Sequence, residues 1–450
     1  MKVVKFGGSS LADGAHIQQV YDIVTSDPDR QIVVVSAPGK RHKGDTKVTD
    51  HLLEYAKHTI ADVDTSEDVS LIKARYHAIG SYFELPAAVM AKLDKQIEQL
   101  AQKHYPSYDY LYAAFAAHGE WLNAQIVAAV FNQLGTPARF VDPKEAGMIV
   151  DDVARAATLL EASYEQLSQL ETGNEILIFP GFFGYTQAGN IATFSRGGSD
   201  ITGAILARAV NADLYENFTD VSAIYAVDPK IIEHPAAIER MTYDEMRELS
   251  YAGFAVFHDD AIIPAIQGGI RINVKNTNDP SAAGTLIVPP TEVANVHSVT
   301  GIANSNRFAA LYLHRYLLNK EVGFTWKILS ILKRHQISYE HMPSGIDDLT
   351  IIFDKSLMTQ HQIDAMMADI AEEIKPDTLK WIPSYGIIMV VGEGMRHRVG
   401  AFTDIVTPLR AQGISLQMVN QGASEISIML GIQPEVADQA VRAIYQSMFE

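Results

Sequence analysis

The first half of the chain alternates between two hydrophobic periods. Apolar runs at residues 3–5, 32–36 and 175–179 are followed by glycine- or proline-bearing turns, so they predict short strands. Apolar residues at helical spacing through 16–24 predict a helix between the first two strands. Strands that alternate with helices favour a mainly parallel sheet, with ligands bound beyond the carboxyl ends of its strands. The candidate ligand loops are therefore 7–10, 37–43, 181–184 and 196–200.

The last third of the chain repeats itself. Residues 323–353 align with 400–430 at a constant offset of 77, without a gap. The identical pairs are Gly323/Gly400, Ile328/Ile405, Leu332/Leu409, Ile337/Ile414, Ser338/Ser415, Gly345/Gly422 and Ile351/Ile428. The pattern in each copy predicts an amphipathic helix, two short strands around a glycine turn and a second helix. The second helix is predicted at 359–374 in the first copy and at 434–448 in the second. We interpret this as two copies of one α+β unit; the alternative is a pair of purely structural appendages.

Composition narrows the class of protein. The formal net charge of −18 argues against nucleic acid or an anionic membrane as a partner, although a local phosphate site stays possible. The absence of cysteine excludes disulfides, thiolate metal sites and a cysteine nucleophile. Apolar runs are too short to span a bilayer, and Lys5 and Gly7 interrupt any signal peptide, so we expect a cytoplasmic protein.

Two glycine-rich loops carry the candidate chemistry. Gly7, Gly8 and Ser9 follow the first strand directly, and Lys5 supplies a point charge suited to phosphate. The alternative is a tight turn with an exposed lysine. Neither a Walker loop nor a protein-kinase signature is present, and no G-x-G-x-x-G motif follows the first strand.

The second loop is 196–200. Arg196 beside two glycines suits a bidentate grip on a carboxylate. Ser199 and Asp200 resemble a helix N-cap, and the alternative is that Asp200 orients a lysine or a metal-bound phosphate. Glu120 is expected near the start of an apolar helix, where it would complement the helix dipole. The spacing of 258–260, His-Asp-Asp, fits no metal-ligand motif, so a capped helix start is favoured there.

Together these motifs resemble those of aspartate kinases in the amino acid kinase superfamily. The matching segments are 5–10, 36–37, 119–120, 195–200, 219–221 and 276–285, and the C-terminal duplication resembles the family's tandem ACT domains. The resemblance implies an amino acid kinase domain at 1–290 and two ferredoxin-like ACT domains at 296–375 and 376–450, the N-terminal strand of the first packing with the second. It also implies ATP-dependent phosphorylation of the L-aspartate side chain to 4-phospho-L-aspartate, the first step of lysine, threonine and methionine biosynthesis.

The resemblance assigns roles to residues. Lys5, Asp200 and Gly8 are the catalytic candidates, with Asp200 organising Lys5. The candidates for binding aspartate are Ser36, Thr46, Glu120, Phe182, Arg196, Gly197 and Gly198. The candidates for binding ATP are Lys5, Gly7, Gly8, Ser9, Ser199, Thr219, Asp220, Tyr225 and Lys230. We expect Mg²⁺ to be held mainly through the ATP phosphates, with no metal site of the protein itself.

The resemblance also implies regulation and assembly. The candidate effector residues are Phe324, Thr325, Tyr339, Glu340, Ser344, Ile346, Asp347 and Asp348, as in lysine-sensitive members. Asp347 and Asp348 suit ammonium groups, and a helix N-terminus near Phe324 suits a carboxylate; the alternative is that the acids are plain turn residues. L-lysine is therefore the expected feedback inhibitor, and a homodimer or higher homo-oligomer through the ACT domains is expected.

Three departures and two other functions stay open at this point. The family usually has glycine at Ser195 and Asp-Gly at Ser222-Ala223, and some members have lysine at Asn278. A catalytically silent amino-acid sensor would keep the fold and the ACT pair. A kinase for glutamate or acetylglutamate would keep the catalytic loops.

Overall fold

The structure is a computed structural model that describes residues 1–195, 197–254, 260–292 and 298–450. Arg196, residues 258 and 259 of the predicted capped helix start, and residue 296, the predicted start of the first ACT domain, lie outside the described residues. The described chain forms two compact units. The first contains 1–224, 237–246 and 260–292, and the second contains 225–236, 247–254 and 298–450. No helix within these ranges combines the length and the apolarity that a membrane span requires.

The strands and helices follow in chain order. The strands are β1 Lys2–Phe6, β2 Arg30–Val35, β3 Ala138–Phe140, β4 Ile149–Val150, β5 Ile176–Pro180, β6 Phe183–Thr186, β7 Ile191–Thr193, β8 Leu214–Thr219, β9 Ile224–Tyr225, β10 Ala237–Ile238, β11 Arg240–Thr242, β12 Ile272–Asn276, β13 Thr285–Val288, β14 Gly301–His314, β15 Asp348–Asp354, β16 Thr378–Val391, β17 Met418–Gln421 and β18 Ser427–Ile432. The helices are α1 Gly14–Thr25, α2 Val48–Ile60, α3 Ser66–Tyr82, α4 Ala87–Gln99, α5 Tyr108–Gln133, α6 Ser163–Leu167, α7 Gly198–Ala209, α8 Tyr243–Tyr251, α9 Ile263–Gln267, α10 Phe324–Arg334, α11 Gln360–Ile374, α12 Ala401–Ala411 and α13 Ala437–Phe449.

The first unit is built on an eight-stranded sheet with the order β11-β13-β12-β8-β1-β2-β5-β3. Every described strand pairing in this sheet is parallel except β12 with β13. Parallel strands bring their carboxyl ends to one edge, so the segments after β1, β2, β5, β8 and β12 meet there. The mainly parallel α/β prediction is therefore confirmed.

One hydrophobic core supports this edge. Most of its fully buried members come from strands β1 and β2 and from helices α1, α2, α3 and α5, and they include Phe6, Val35, Tyr55, Tyr76, Phe115 and Phe131. Consecutive residues of β1 and β2 are buried, so both faces of these strands are covered. Strands covered on both faces are expected to be mainly apolar rather than to alternate between apolar and polar residues. Burying these aromatic and aliphatic side chains contributes roughly 1.5–3 kcal/mol each.

The second unit contains an antiparallel sheet with the order β15-β14-β16-β18-β17. The long strand β14 pairs with β15 through Phe308–His314 and with β16 from Gly301 onward. The first residues of β16 pack with the core of the first copy, through Leu379 and Trp381. The predicted boundary at 375/376 thus precedes a strand that both copies use, and the three-domain division stays a prediction.

The duplication is visible in the structure. Gly323 and Gly400 are the N-cap residues of α10 and α12, with φ of 82° and 88°. The prediction of two short strands around a glycine turn holds as two strands, β17 and β18, only for the second copy. In the first copy β15 is preceded by isolated bridges at His341 and Ser344, because Pro343 between them lacks the N–H group that a ladder needs.

Candidate active site

Lys5 and Asp200 form a pair at the carboxyl edge of the sheet. The Nζ of Lys5 lies 2.7 Å from Oδ1 of Asp200, and both side chains are largely buried. Asn217, the register partner of Lys5 on β8, donates its amide to the same oxygen at 2.6 Å. These contacts fix the ammonium group at the end of β1.

The N-cap interpretation of Ser199 and Asp200 is wrong. Helix α7 begins at Gly198, and its N-cap residue is Gly197, whose φ of 75° favours glycine. Asp200 is therefore the third residue of the helix, and its carboxylate is bonded to Lys5 and Asn217 rather than capping the helix. The alternative, in which Asp200 orients a lysine, matches the geometry.

Gly8 allows two ligand loops to touch. A Cβ at Gly8 would lie 2.8 Å from the carbonyl oxygen of Ala37, and a Cβ at Gly39 would lie 2.5 Å from the carbonyl carbon of Gly8. The N–H of Gly39 donates to the carbonyl of Gly8 at 2.8 Å. Side chains at either position would push the loops after β1 and β2 apart.

A cavity of about 440 Å³ lies between these loops and helix α5. Four of the predicted residues line it, namely Gly8, Ser9, Ser36 and Glu120. The predicted Thr46 is exposed on the neighbouring loop and is not one of its lining residues, whereas Thr49 in the first turn of α2 is. Thr49 is therefore a further candidate for binding aspartate, and the role of Thr46 stays a prediction.

Glu120 lies in the middle of the 26-residue helix α5, so the expectation of a position near a helix start is wrong. One oxygen of its carboxyl group, Oε2, is buried without a hydrogen-bond partner among the described residues. Burial raises the pKa of Glu120 to about 8, although hydrogen bonds from backbone groups, including Ala37, act in the opposite direction. A carboxyl group in this condition favours a cationic ligand.

The segment after β5 approaches the start of α7. Phe182 adopts a φ of 81°, and its N–H donates to Oγ1 of Thr202 at 3.0 Å. A Cβ at Gly198 would lie 2.4 Å from the Phe182 ring, so glycine is required there. Phe182, Gly197 and Gly198 therefore lie together, while Arg196 is outside the described residues.

The predicted nucleotide residues are divided between the two units. Thr219 ends β8 at the same edge as Lys5, and Asp220 follows it and is exposed. Ser199 lies against Gly181, whose Cβ would be 2.6 Å from the Ser199 hydroxyl. Tyr225 and Lys230 belong to the 225–236 segment of the second unit. Their roles stay predictions.

Four residues near this site were missed by the sequence analysis. Asn217 holds Asp200, and Lys40, Lys47 and Thr49 line the cavity. The position of Asn217 beside Lys5 depends on the pairing of β1 with β8, which no local pattern reveals. Lys40, by contrast, lay inside a loop that had been predicted to bind a ligand.

The predicted effector residues lie in the first ACT copy. Phe324 is buried in that copy's core, Thr325 and Ser344 are exposed, and Ile346 and Tyr339 expose 70% and 41% of their surface. The carboxylates of Asp347 and Asp348 already accept hydrogen bonds from groups of the same chain. Asp348 accepts hydrogen bonds from Tyr312 at 2.6 Å and His314 at 2.8 Å, and Asp347 accepts one from the N–H of Leu317 at 2.7 Å.

Glu340 also has a partner in this unit. The hydroxyl group of Tyr251, at the end of α8, donates to Glu340 at 2.7 Å and lies 3.1 Å from His341. Desolvation and this bond to Glu340 both raise the pKa of Tyr251. An effector that used Glu340 would therefore compete with an existing hydrogen bond.

Comparison with known proteins agrees with this geometry. The amino acid kinase family model matches residues 1–276, and an ACT domain model matches 388–448. The chain is 44% identical over 449 residues to aspartokinase 3 of Bacillus subtilis (strain 168), covering 100% of this chain and 99% of that protein. The chain belongs to the aspartate kinases of the amino acid kinase family. It is therefore a phosphotransferase with a carboxyl group as acceptor.

Two further aspartate kinases match this chain over nearly their whole length. The structure matches that of Clostridium acetobutylicum aspartate kinase with a TM-score of 0.87 and 37% identity, covering 100% of both chains. The lysine-sensitive aspartokinase 3 of Escherichia coli (strain K12) is 25% identical over 468 residues, covering 100% of this chain and 99% of that one. The full-length likeness to aspartate kinases disfavours both the silent-sensor and the glutamate-kinase alternatives.

Proposed function

We propose that this aspartate kinase transfers the γ-phosphoryl group of ATP at the carboxyl edge of the first unit's sheet. The observation that carries this placement is the Lys5–Asp200 pair, fixed by Asn217 beside the glycine loop 7–10. A side-chain carboxylate oxygen attacks the γ-phosphorus, the bond to the bridging oxygen breaks, and ADP leaves with the electron pair. No proton needs to move, since a carboxylate with an ordinary pKa of about 4 is already a nucleophile at pH 7.

Lys5 would neutralise charge on the transferred group. Phosphoryl transfer is mainly a matter of positioning and charge stabilisation, and a preorganised ammonium group supplies both. The contact with Asp200 keeps the flexible lysine stem from sampling other rotamers. Ser9, Ser199, Thr219, Asp220, Tyr225 and Lys230 remain the proposed nucleotide contacts.

Aspartate would bind in the 440 Å³ cavity. The unpartnered oxygen of Glu120 would receive the α-ammonium group, and the arrival of this cation would lower the pKa of the carboxyl group and ionise it. Ser36 and Thr49 offer hydroxyl groups to the substrate carboxylates. Arg196, with Gly197, Gly198 and Phe182, is proposed for the α-carboxylate.

The described residues do not form a metal cage. No group of three or more histidine or acidic side chains converges within them, and Asp200 is engaged by Lys5 and Asn217. Mg²⁺ often binds to proteins through substrate phosphates, retaining several waters. We propose that Mg²⁺ arrives with ATP, where the ion would neutralise phosphate charge.

We also propose that L-lysine inhibits through the first ACT copy and that the ACT region forms a homodimer. The E. coli relative's lysine sensitivity and the effector segment 344–348 support the first part. Exposed apolar side chains in this unit support the second, because Val322, Trp326 and Val399 are 99%, 70% and 98% exposed. The cytoplasmic location stays a prediction.

One experiment tests the acceptor and the regulation together, and the Lys5 and Glu120 variants described below test the placement. The full-length protein is incubated with MgATP and aspartate, and the acyl phosphate is trapped as its hydroxamate while ADP release is followed. Glutamate and N-acetylglutamate replace aspartate in parallel, and lysine, threonine or methionine is added to further reactions. We expect hydroxamate to form with aspartate but not with glutamate or N-acetylglutamate. We also expect lysine, but not threonine or methionine, to reduce the amount formed. Inhibition by threonine alone would reject lysine as the effector.

A further inference from the structure

Two lysines line the cavity and have no role in the mechanism above. The charged groups among its described lining residues are Lys40, Lys47 and Glu120. Burial raises the pKa of Glu120 to about 8, so this carboxyl group is mostly neutral at pH 7 before substrate binds. The walls therefore present two cations in a chain whose net charge is −18. A local excess of positive charge on a concave surface suits an anionic group.

Among the described residues, no carboxylate lies within salt-bridge distance of Lys40 or Lys47. The nearby acid is engaged elsewhere: Arg41 on the same loop lies 2.8 Å from Asp45, and Arg75 on α3 lies 2.7 Å from the same carboxylate. The hydrogen bond from Arg41 holds the pKa of Asp45 far below its usual range, so this carboxylate stays ionised and serves the arginines.

Lys47 also occupies an unusual position for its type. It is the N-cap residue of the 13-residue helix α2, where side chains that accept hydrogen bonds are preferred. An ammonium group only donates, and no side-chain capping bond is formed. The choice of lysine leaves the positive end of the helix facing whatever occupies the cavity, beside Thr49.

A buried arginine fixes the loop that carries both lysines. The side chain of Arg75 is 5% exposed, and it donates to the carbonyls of Gly39 at 2.7 Å and Thr46 at 3.0 Å. These bonds join the two ends of the loop, directly before Lys40 and Lys47. The bond from Gly39 to Gly8 then fastens this loop to the glycine loop.

We propose that Lys40 and Lys47, with the amino end of α2, bind the phosphoryl group as it passes to aspartate and hold it in the acyl phosphate product. This inference rests on the proposed placement of aspartate in the same cavity. Lys5 then serves the phosphoryl group from the nucleotide side, and the two loop lysines serve it from the acceptor side. The bonds that form and break are those given above, and the lysines supply charge without moving a proton.

The test compares Lys40→Met, Lys47→Met and the double variant with Lys57→Met in the full-length protein. Lys57 lies on α2, is exposed, pairs with Glu54 and is not among the cavity-lining residues, so it is the control. We expect kcat to fall about 10-fold in each single variant and about 10²-fold in the double variant, with the KM for aspartate changed less than about twofold. Lys57→Met should match the wild type, and Lys47→Arg should retain more kcat than Lys47→Met.

The outcomes separate this inference from the placement on which it rests. Unchanged kcat in the folded double variant, or a loss confined to the KM for aspartate, overturns the phosphoryl role while leaving the aspartate site in place. Failure of Glu120→Gln to weaken aspartate binding overturns the placement itself. Circular dichroism and thermal melting check the fold. If the double variant does not fold, the pair Lys47→Arg and Lys47→Met decides by the ratio of their kcat values.

Discussion

The catalytic cavity and the effector region are both predicted ligand sites, but their polar groups are in opposite states. In the cavity, Oε2 of Glu120 is buried without a partner in the described chain. In the effector region, Asp347, Asp348 and Glu340 already accept hydrogen bonds from neighbouring groups. A buried polar atom without a hydrogen bond destabilises the protein by about 1–3 kcal/mol, and a ligand that supplies the missing partner would remove this penalty.

The difference suggests two modes of binding. Aspartate would enter a site whose donors and acceptors are already positioned for it. An effector would have to replace internal hydrogen bonds, so its binding would be coupled to a rearrangement of the first ACT copy. Such coupling is what inhibition at a distance requires, since a ligand shifts an equilibrium only by its differential affinity for two states.

The largest effect is expected at the catalytic site. Lys5→Met removes the ammonium group but keeps much of the apolar stem, and it should lower kcat roughly 10²–10³-fold, or about 3–4 kcal/mol. Lys2→Met is a suitable control, because Lys2 lies on the same strand and pairs with Asp27 away from the cavity. Steady-state ADP release measures both variants. A folded Lys5→Met enzyme with nearly normal kcat would remove Lys5 from the mechanism.

Binding of aspartate in the cavity should release a proton from the carboxyl group of Glu120. With a pKa of about 8, Glu120 is mostly protonated at pH 7, and binding of the aspartate ammonium group should ionise it. Calorimetry in two buffers with different ionisation enthalpies should show release of nearly one proton per aspartate. Glu120→Gln should abolish this release and weaken aspartate binding by about 1.5–3 kcal/mol. Equal proton release by the variant would assign the proton to another group.

The same substitution tests stability. The ordinary pKa of this carboxyl group is 4.5, so between pH 4.5 and about 8 the unfolded state loses the proton while the folded state keeps it. Wild-type stability should therefore fall as the pH rises through this window. Glu120→Gln removes this destabilising contribution. Its free energy of unfolding should therefore exceed that of the wild type by about 1–4 kcal/mol at pH 8, and by much less at pH 5. Urea unfolding at both pH values, with the exposed Glu98→Gln as control, measures the difference.

The contrast between the two sites also shows what sequence patterns can predict. The strands, the parallel sheet and the repeat follow from local periodicity, and the glycine loops follow from residues adjacent in the chain. The position of Asn217 beside Lys5, the burial of Glu120 and the position of Thr49 at the cavity depend on how distant elements pack. The Ser199-Asp200 error has the same origin, because a capping preference is local whereas the contact of Asp200 with Lys5 joins helix α7 to strand β1.

At the effector region, Asp347→Ala combined with Asp348→Ala should relieve inhibition by lysine. The double variant removes the carboxylates proposed to hold the lysine ammonium groups, so the lysine concentration for half inhibition should rise roughly 5–30-fold, or about 1–2 kcal/mol. The second copy offers a matched control at the offset of 77, Ser424→Ala with Glu425→Ala. Uninhibited kcat should change little in either variant. Equal relief by both variants would mean that the effect is not specific to the first copy.

The smallest expected effect compares the two copies at one equivalent backbone position. Gly323 and Gly400 have φ of 82° and 88°, and a Cβ at either would meet no atom within 4 Å, so only backbone strain opposes alanine. Each substitution should therefore lower the free energy of unfolding by about 1 kcal/mol, measured by urea denaturation. If only the first copy binds the effector, Gly323→Ala should also shift lysine inhibition, because it moves the start of α10, whereas Gly400→Ala should not. A shift in Gly400→Ala alone would place the effector in the second copy and reverse the assignment.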